Sequence, residues 1–247
     1  MPTFDREAAL RLIEKNIRSS GYHVYVVGQG TLPRFAYTIG LGESIGSELV
    51  LAGANFYMAE QVRQILDAVR EHVASARDFE RELVVAALGS FRLRRVHQSW
   101  IRSLLLGAVD FYDGKVVDAY QIVPDEEHMT IDVPNLANEW SVEGEPVWQW
   151  LHAPWPYAIP ASSTATTNLE ALRGAKITEA TRWEDDYWEM FAGAGPDVRE
   201  EDVRIVPISS LLAVDPSLTP VLELKIGRGL RRGDEGDDWH PWGEPAS

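Results

Sequence analysis

The residues of this chain with types and spacings suited to chemistry fall into a few short groups. Gly42-Glu43-Ser44-Ile45-Gly46 spells G-x-S-x-G, the pattern of a nucleophile elbow, where a sharp strand-to-helix turn exposes a serine hydroxyl. Here the pentapeptide lies between two strand-like runs, and the next amphipathic helix starts well downstream, so a polar hairpin loop is the better reading. Asp125-Glu126-Glu127-His128, with Asp132 beyond, offers carboxylates and an imidazole to a divalent cation. Metal ligands must converge at about 2.0–2.5 Å, and a contiguous acidic loop without H-E-x-x-H or EF-hand spacing rarely achieves this. No metal is expected. His23, His97 and His152 have the chemistry of a general base, although a histidine satisfied by backbone partners is the commoner finding. Gly28-Gln29-Gly30 and Gly227-Arg228-Gly229 lack the third glycine and following helix of a dinucleotide fingerprint, so no flavin, nucleotide or other cofactor is expected. Without cysteine there is neither a disulfide nor a thiol nucleophile. No catalytic residue is assigned.

Tryptophan beside carboxylate is the remaining constellation. Trp183 and Trp188 flank Glu184-Asp185-Asp186, with Glu189 next, and such a set suits a basic partner through aromatic anchors and complementary charge. The plainer alternative is that these tryptophans pack in a core. A competing class, an enzyme or small-ligand protein, would place a pocket in the first half near Tyr37, Thr38, His97, Trp100 and Gln121, which fall at strand ends and loops.

The bulk properties narrow the class. A net charge of -15 argues against nucleic-acid binding, which needs a basic surface to neutralise phosphates. The charge is also uneven: between Lys115 and Arg173 there is no Lys or Arg, while Asp118, Asp125, Glu126, Glu127, Asp132, Glu139, Glu143, Glu145 and Glu170 all lie there. A solvated acidic face keeps a protein soluble, and the same field steers a basic partner. The longest apolar runs, 83–88 and 104–109, fall far short of the ~20 residues of a membrane span. The acidic N-terminus does not read as a signal peptide, and a cytoplasmic, bacterial protein is expected.

The elements that must position these groups follow from periodicity. Helical spacing predicts a helix over 5–19 ended by Gly21, and another over 58–73 with Val62, Ile65, Leu66 and Val69 on one face. Strands are expected over 22–27, 35–41, 48–52, 90–96 and 116–123, with a short helix over 99–109; the segment 78–88 is ambiguous. After Pro124 the chain becomes acidic, proline-rich and studded with Trp140, Trp148, Trp150 and Trp155, a composition too aromatic for a disordered linker. Trp148 and Trp150, two apart, would share one side of a strand. A second unit should begin near Thr164, with a short helix over 168–173, a strand-like stretch at 177–183, then Trp188-Glu189-Met190-Phe191, and a strand at 204–208 whose Pro207 marks an edge or a strand end. The polar tail beyond Gly233 completes it.

The motif series Gly21-Tyr22-His23, Phe35-Ala36-Tyr37-Thr38-Ile39-Gly40-Leu41, Glu48-Leu49-Val50-Leu51-Ala52-Gly53, Ser90-Phe91-Arg92-Leu93, Ser99-Trp100, Gly107-Ala108-Val109-Asp110-Phe111-Tyr112 and Gln121-Ile122-Val123-Pro124-Asp125 resembles the bacterial domain of unknown function 4262 over about residues 20–130. Many members carry Gly-His-Pro-Glu-Leu before the second strand of the series. This chain has Gly46-Ser47-Glu48-Leu49, so any role of that histidine is absent. The second half, through Arg182-Trp183, Trp188-Glu189-Met190-Phe191-Ala192-Gly193, Val206, Leu211-Leu212 and Asp215-Pro216-Ser217-Leu218, is loosely similar to the immunity protein 33-like family. That resemblance implies neutralisation of a toxin exchanged between bacteria. The expected architecture is α+β: a mixed sheet-plus-helix domain over 1–124, an ordered Trp/Pro-rich connector over 125–161 and a second such domain over 162–247. The expected function is non-catalytic recognition of another protein, a basic toxin being the type case, with no nucleic acid or membrane involved.

Overall fold

A computed structural model describes residues 5–28, 30–233 and 238–242. Gln29, at the centre of the Gly28-Gln29-Gly30 turn, and much of the tail beyond Gly233 lie outside the described residues.

The fold is α+β, with two mixed six-stranded sheets. The first comprises β1 (His23–Val27), β2 (Phe35–Ile39), β3 (Glu48–Ala52), β4 (Leu83–Val85), β5 (Gly89–Arg95) and β6 (Ala119–Pro124), in the order β1-β2-β3-β6-β5-β4. Its pairs are antiparallel except β3 with β6. Both faces are covered, which is why β2 and β3 are buried at every position and read as continuous apolar runs. On one face α2 (Ala59–Ala76) buries Val62, Ile65, Leu66, Val69 and Val73 against Leu49, Leu51 and Phe91. On the other, α1 (Arg6–Ser20), α3 (Gln98–Leu104) and α4 (Leu106–Phe111) pack with Tyr37, Ile39, Val50 and Trp100. Asp5 caps α1, accepting from Ala8 N–H, and Gly21 ends it in the left-handed region.

The second sheet comprises β7 (Thr164–Asn168), β8 (Glu179–Arg182), β9 (Tyr187–Phe191), β10 (Val203–Pro207), β11 (Arg228–Arg231) and β12 (His240–Trp242), ordered β10-β7-β9-β8-β11-β12. One parallel pair, β7 with β9, again lies among antiparallel ones. Two short helices, α5 (Leu169–Leu172) and α6 (Ile208–Val214), contribute to its core around Trp188. β10 is an edge strand, as Pro207 requires.

Several local readings need correction. The single helix expected over 99–109 is two, because Leu105 leaves helical geometry (φ -92°, ψ 40°). Within 78–88 only Leu83–Val85 is strand, and Ala87 and Gly89, both at positive φ, turn the chain into β5. Trp148 and Trp150 lie on a 3-10 helix, Pro146–Leu151, not a strand: Trp148 is fully buried in the first core, and Trp150 packs edge-on against Trp155. Trp140 and Leu151 also pack against the first core, and Trp155 and Tyr157 against the second. The two sheet units touch directly. Arg204 of β10 donates to the carbonyls of Asn55 and Phe56, Ser209 Oγ donates to Thr31 O, and Ile131 N–H donates to Leu172 O.

Candidate functional site

The β8–β9 hairpin ends in Trp183-Glu184-Asp185-Asp186, all exposed, with Trp183 48% accessible. Trp183 and Glu184 N–H both donate to Tyr187 O and close the turn. Arg182 fixes it from below. Its guanidinium donates to Glu184 O, Asp185 O (2.7 Å) and Leu224 O (2.9 Å), and lies over the Trp188 ring at 4.7 Å. Five donors in a planar fork suit one arginine to several carbonyls at once. Trp188 itself is fully buried, its Nε1 donating to Val221 O (3.3 Å), so it supports the hairpin from the core and presents nothing to solvent. Glu189 is half-buried on β9. Of the six residues singled out here, Trp183, Glu184, Asp185 and Asp186 form the exposed tip, Glu189 is set back and Trp188 is its foundation. Ile226, also exposed, lies at the same end of the sheet, where Gly227 N–H donates to Arg182 O.

The five first-half residues are placed otherwise. Tyr37, Thr38, Trp100 and Gln121 are buried, with their polar groups paired inside the protein. Gly107 N–H donates to the Tyr37 hydroxyl, whose pKa burial pushes up to about 12. Trp100 Nε1 donates to Asn138 O, and Gln121 bonds Pro134 O and Leu136 N–H. His97 is exposed and caps α3, bonded to Ser99. Each of the four buried ones is tied to its own internal partners. His23 bonds Asn16 and is held below the ordinary histidine value by burial, then by Arg63; His152 is exposed, edge-on to Trp140.

Among the described residues two carboxylates are buried: Glu48, which the sequence did not single out, and Asp132, which it offered only as part of a solvated acidic loop. Glu48, fully buried at the start of β3, accepts from Thr38 Oγ1 (2.6 Å), Gly40 N–H (2.9 Å), Gly42 N–H (3.2 Å) and the Tyr112 hydroxyl. The G-x-S-x-G loop therefore wraps a carboxylate, and Ser44 Oγ donates to the nearby Leu41 O. Burial, then Glu48, raises the Tyr112 pKa. Asp132, also buried, accepts from Asn55 N–H and Nδ2 (2.8 Å), and burial raises its pKa despite those donors and Arg34. Gly53 allows this approach: at φ +68°, an added Cβ would lie 2.0 Å from Asp132 O. The signal available for Glu48 was a charged residue opening an otherwise apolar strand.

Asp125 and His128 pair at 2.5 Å, with His128 stacked on Tyr57 and edge-on to Phe56. Burial works to raise the Asp125 carboxyl, but Ser90 N–H and His128 outweigh it and hold it low. Asp125 also caps the short 3-10 helix Glu126–His128, so the pair fastens this loop to the start of β5. Among the described residues no three His, Asp or Glu side chains converge as a metal site, and no helix is long and apolar enough to cross a membrane.

Comparison with known proteins finds a family model within the first half. Residues 16–129 match the model of the family described as Domain of unknown function (DUF4262). That span ends just after β6, and the likeness of the second half to the immunity protein 33-like family has no match behind it. No curated protein and no solved structure matches the chain.

Proposed function

We propose that this chain, whose first half is a domain of that uncharacterised family, is a non-catalytic recognition protein that binds a basic protein partner through the acidic hairpin of its second half. The observation that carries the reading is Trp183, 48% accessible at the tip of a turn whose three following residues are all acids. An exposed tryptophan offers a large, rigid anchor, and carboxylates beside it select a cationic counterpart. Arg182 holds the backbone of the turn in place before any encounter, which reduces the ordering cost of binding. The protein's net charge of -15 adds long-range attraction. In the finer form of the proposal the partner is a basic toxin, blocked by occupation of its cationic surface.

The test is capture from lysate of the source cells by the immobilised chain, alongside Trp183→Ala and a double Asp185→Lys, Asp186→Lys variant, at low and high salt. A protein captured by the parent, lost with either variant and weakened by salt supports the reading. Capture unchanged in both variants, or a native mass spectrum showing a stoichiometric small molecule, would overturn it.

A further inference from the structure

The β1 strand is an unguarded sheet edge. β2 is its one paired neighbour, and among the described residues nothing hydrogen-bonds to its outward backbone groups. Edges in soluble proteins are normally blunted by brevity, proline or charge. The other edges here follow that rule: β4 has three residues and β10 ends in Pro207. β1 has the sequence His-Val-Tyr-Val-Val, with no proline and no Lys, Arg, Asp or Glu, and its Val26 is 54% exposed.

Beside this edge runs a groove of about 520 Å³ between β1 and α2. Val24 and Val26 supply apolar surface, and Glu60, Arg63, Gln64 and Asp67 form the helical wall. Those four are spaced i, i+3, i+4, i+7, a single stripe of one helix. Burial raises the Asp67 carboxyl, in keeping with a partly desolvated wall.

We infer that this edge and groove bind an extended peptide segment by strand addition, and that the segment carries basic residues four apart with an apolar residue between them. Strand addition supplies main-chain hydrogen bonds, and alternate side chains enter the neighbouring groove. Glu60 and Asp67, seven residues apart, are separated by about 10 Å along α2. Positions i and i+4 of a strand are about 13 Å apart on the same face, a difference that flexible Lys side chains absorb. The middle position, i+2, then meets Val24 and Val26. A second copy of this chain is the poorer occupant, because a two-fold pair of β1 edges sets the same stripe, with its excess of carboxylate, against itself.

The probe is the acetylated, amidated pentapeptide Lys-Thr-Val-Thr-Lys, titrated into the full chain and followed by amide chemical shifts and hydrogen exchange of β1. Three controls accompany it: Glu-Thr-Val-Thr-Glu, the Lys peptide with methylated amide nitrogens, and sedimentation of the chain alone. The expected result is saturable binding that slows exchange in β1, favours the Lys peptide and disappears on methylation. Val26→Lys, at an exposed position that leaves folding intact, should weaken binding about tenfold or more, and Glu60→Lys should reverse the peptide preference. No β1 response to the Lys peptide, equal binding of the methylated peptide, or a dimer of the free chain that Val26→Lys dissolves would each overturn the inference.

Discussion

Glu48→Ala removes the acceptor on which four donors converge, and the structure sets how much that costs. The Thr38 hydroxyl can donate to Leu49 O, 3.5 Å away, and Gly40 N–H keeps the Tyr112 oxygen at 3.0 Å. The groups left without an acceptor are the Tyr112 hydroxyl and Gly42 N–H, of which Gly42 borders solvent. One fully orphaned buried donor and one partly orphaned one, at ~1–3 kcal/mol each, with offset from no longer burying a charge, give a net loss of about 2–4 kcal/mol. For a chain of this size that is a fall in Tm of roughly 4–16 °C. Glu48→Gln keeps the shape and one carbonyl acceptor, and Thr38 can turn to receive the amide, so its loss should be about half. Tyr112→Phe should fall between parent and Glu48→Ala. Urea unfolding followed by near-ultraviolet circular dichroism measures all three, and hydrogen exchange at Gly42 and Ile45 reports whether the loop opens. If Glu48→Ala lies within about 0.5 kcal/mol of the parent, the carboxylate is not what closes this loop. Equal losses for the alanine and glutamine variants would point to the carboxylate's charge and second acceptor oxygen, which both lack, and away from side-chain volume.

Other outcomes follow from the same geometry. Trp188→Ala should cost about 3–5 kcal/mol by emptying the second core, while Trp183→Ala should change stability by no more than ~0.5 kcal/mol, leaving any effect on the proposed partner separable; thermal melts distinguish the two. Gly53→Ala should destabilise by several kcal/mol or prevent folding, because its Cβ would meet Asp132 O at 2.0 Å; soluble yield and urea midpoint report it. For Asp132, burial raises the folded-state pKa above the unfolded value, so the folded state binds more protons and this residue's contribution to stability falls as pH rises through that window. Asp132→Asn should therefore gain on the parent as pH rises from acid to neutral, and a flat difference in urea midpoints across that range would refute this.

The parts of the fold written in local periodicity were legible. Asp5 and Gly21 bracket α1 as cap chemistry predicts, and β3 occupies the expected 48–52. What escaped depended on tertiary partners. β7, Thr-Ala-Thr-Thr-Asn, has little apolar signal and is a strand because β9 and β10 pair on either side of it. Trp188 looked like a surface anchor next to acids, yet strand alternation points it inward while Trp183, at the turn, stays out. Glu48 drew no notice at the head of its strand and Asp132 was assigned to a solvated loop, because their donors come from residues as far away as Tyr112 and Asn55.

The parallel pairing of β3 with β6 carries a consequence for biosynthesis. Leu49, Val50 and Leu51 emerge from the ribosome long before Ala119–Pro124, the strand that covers their open side. At ~5–20 residues per second the nascent chain spends on the order of several seconds with a strand that is apolar beyond Glu48 pairing on one side only. Slow codons between 53 and 118 would lengthen that exposure, and a chaperone that shields extended apolar segments would matter most in this interval. Aggregation during expression should thus track the speed of translation through this stretch more closely than the stability of the finished protein.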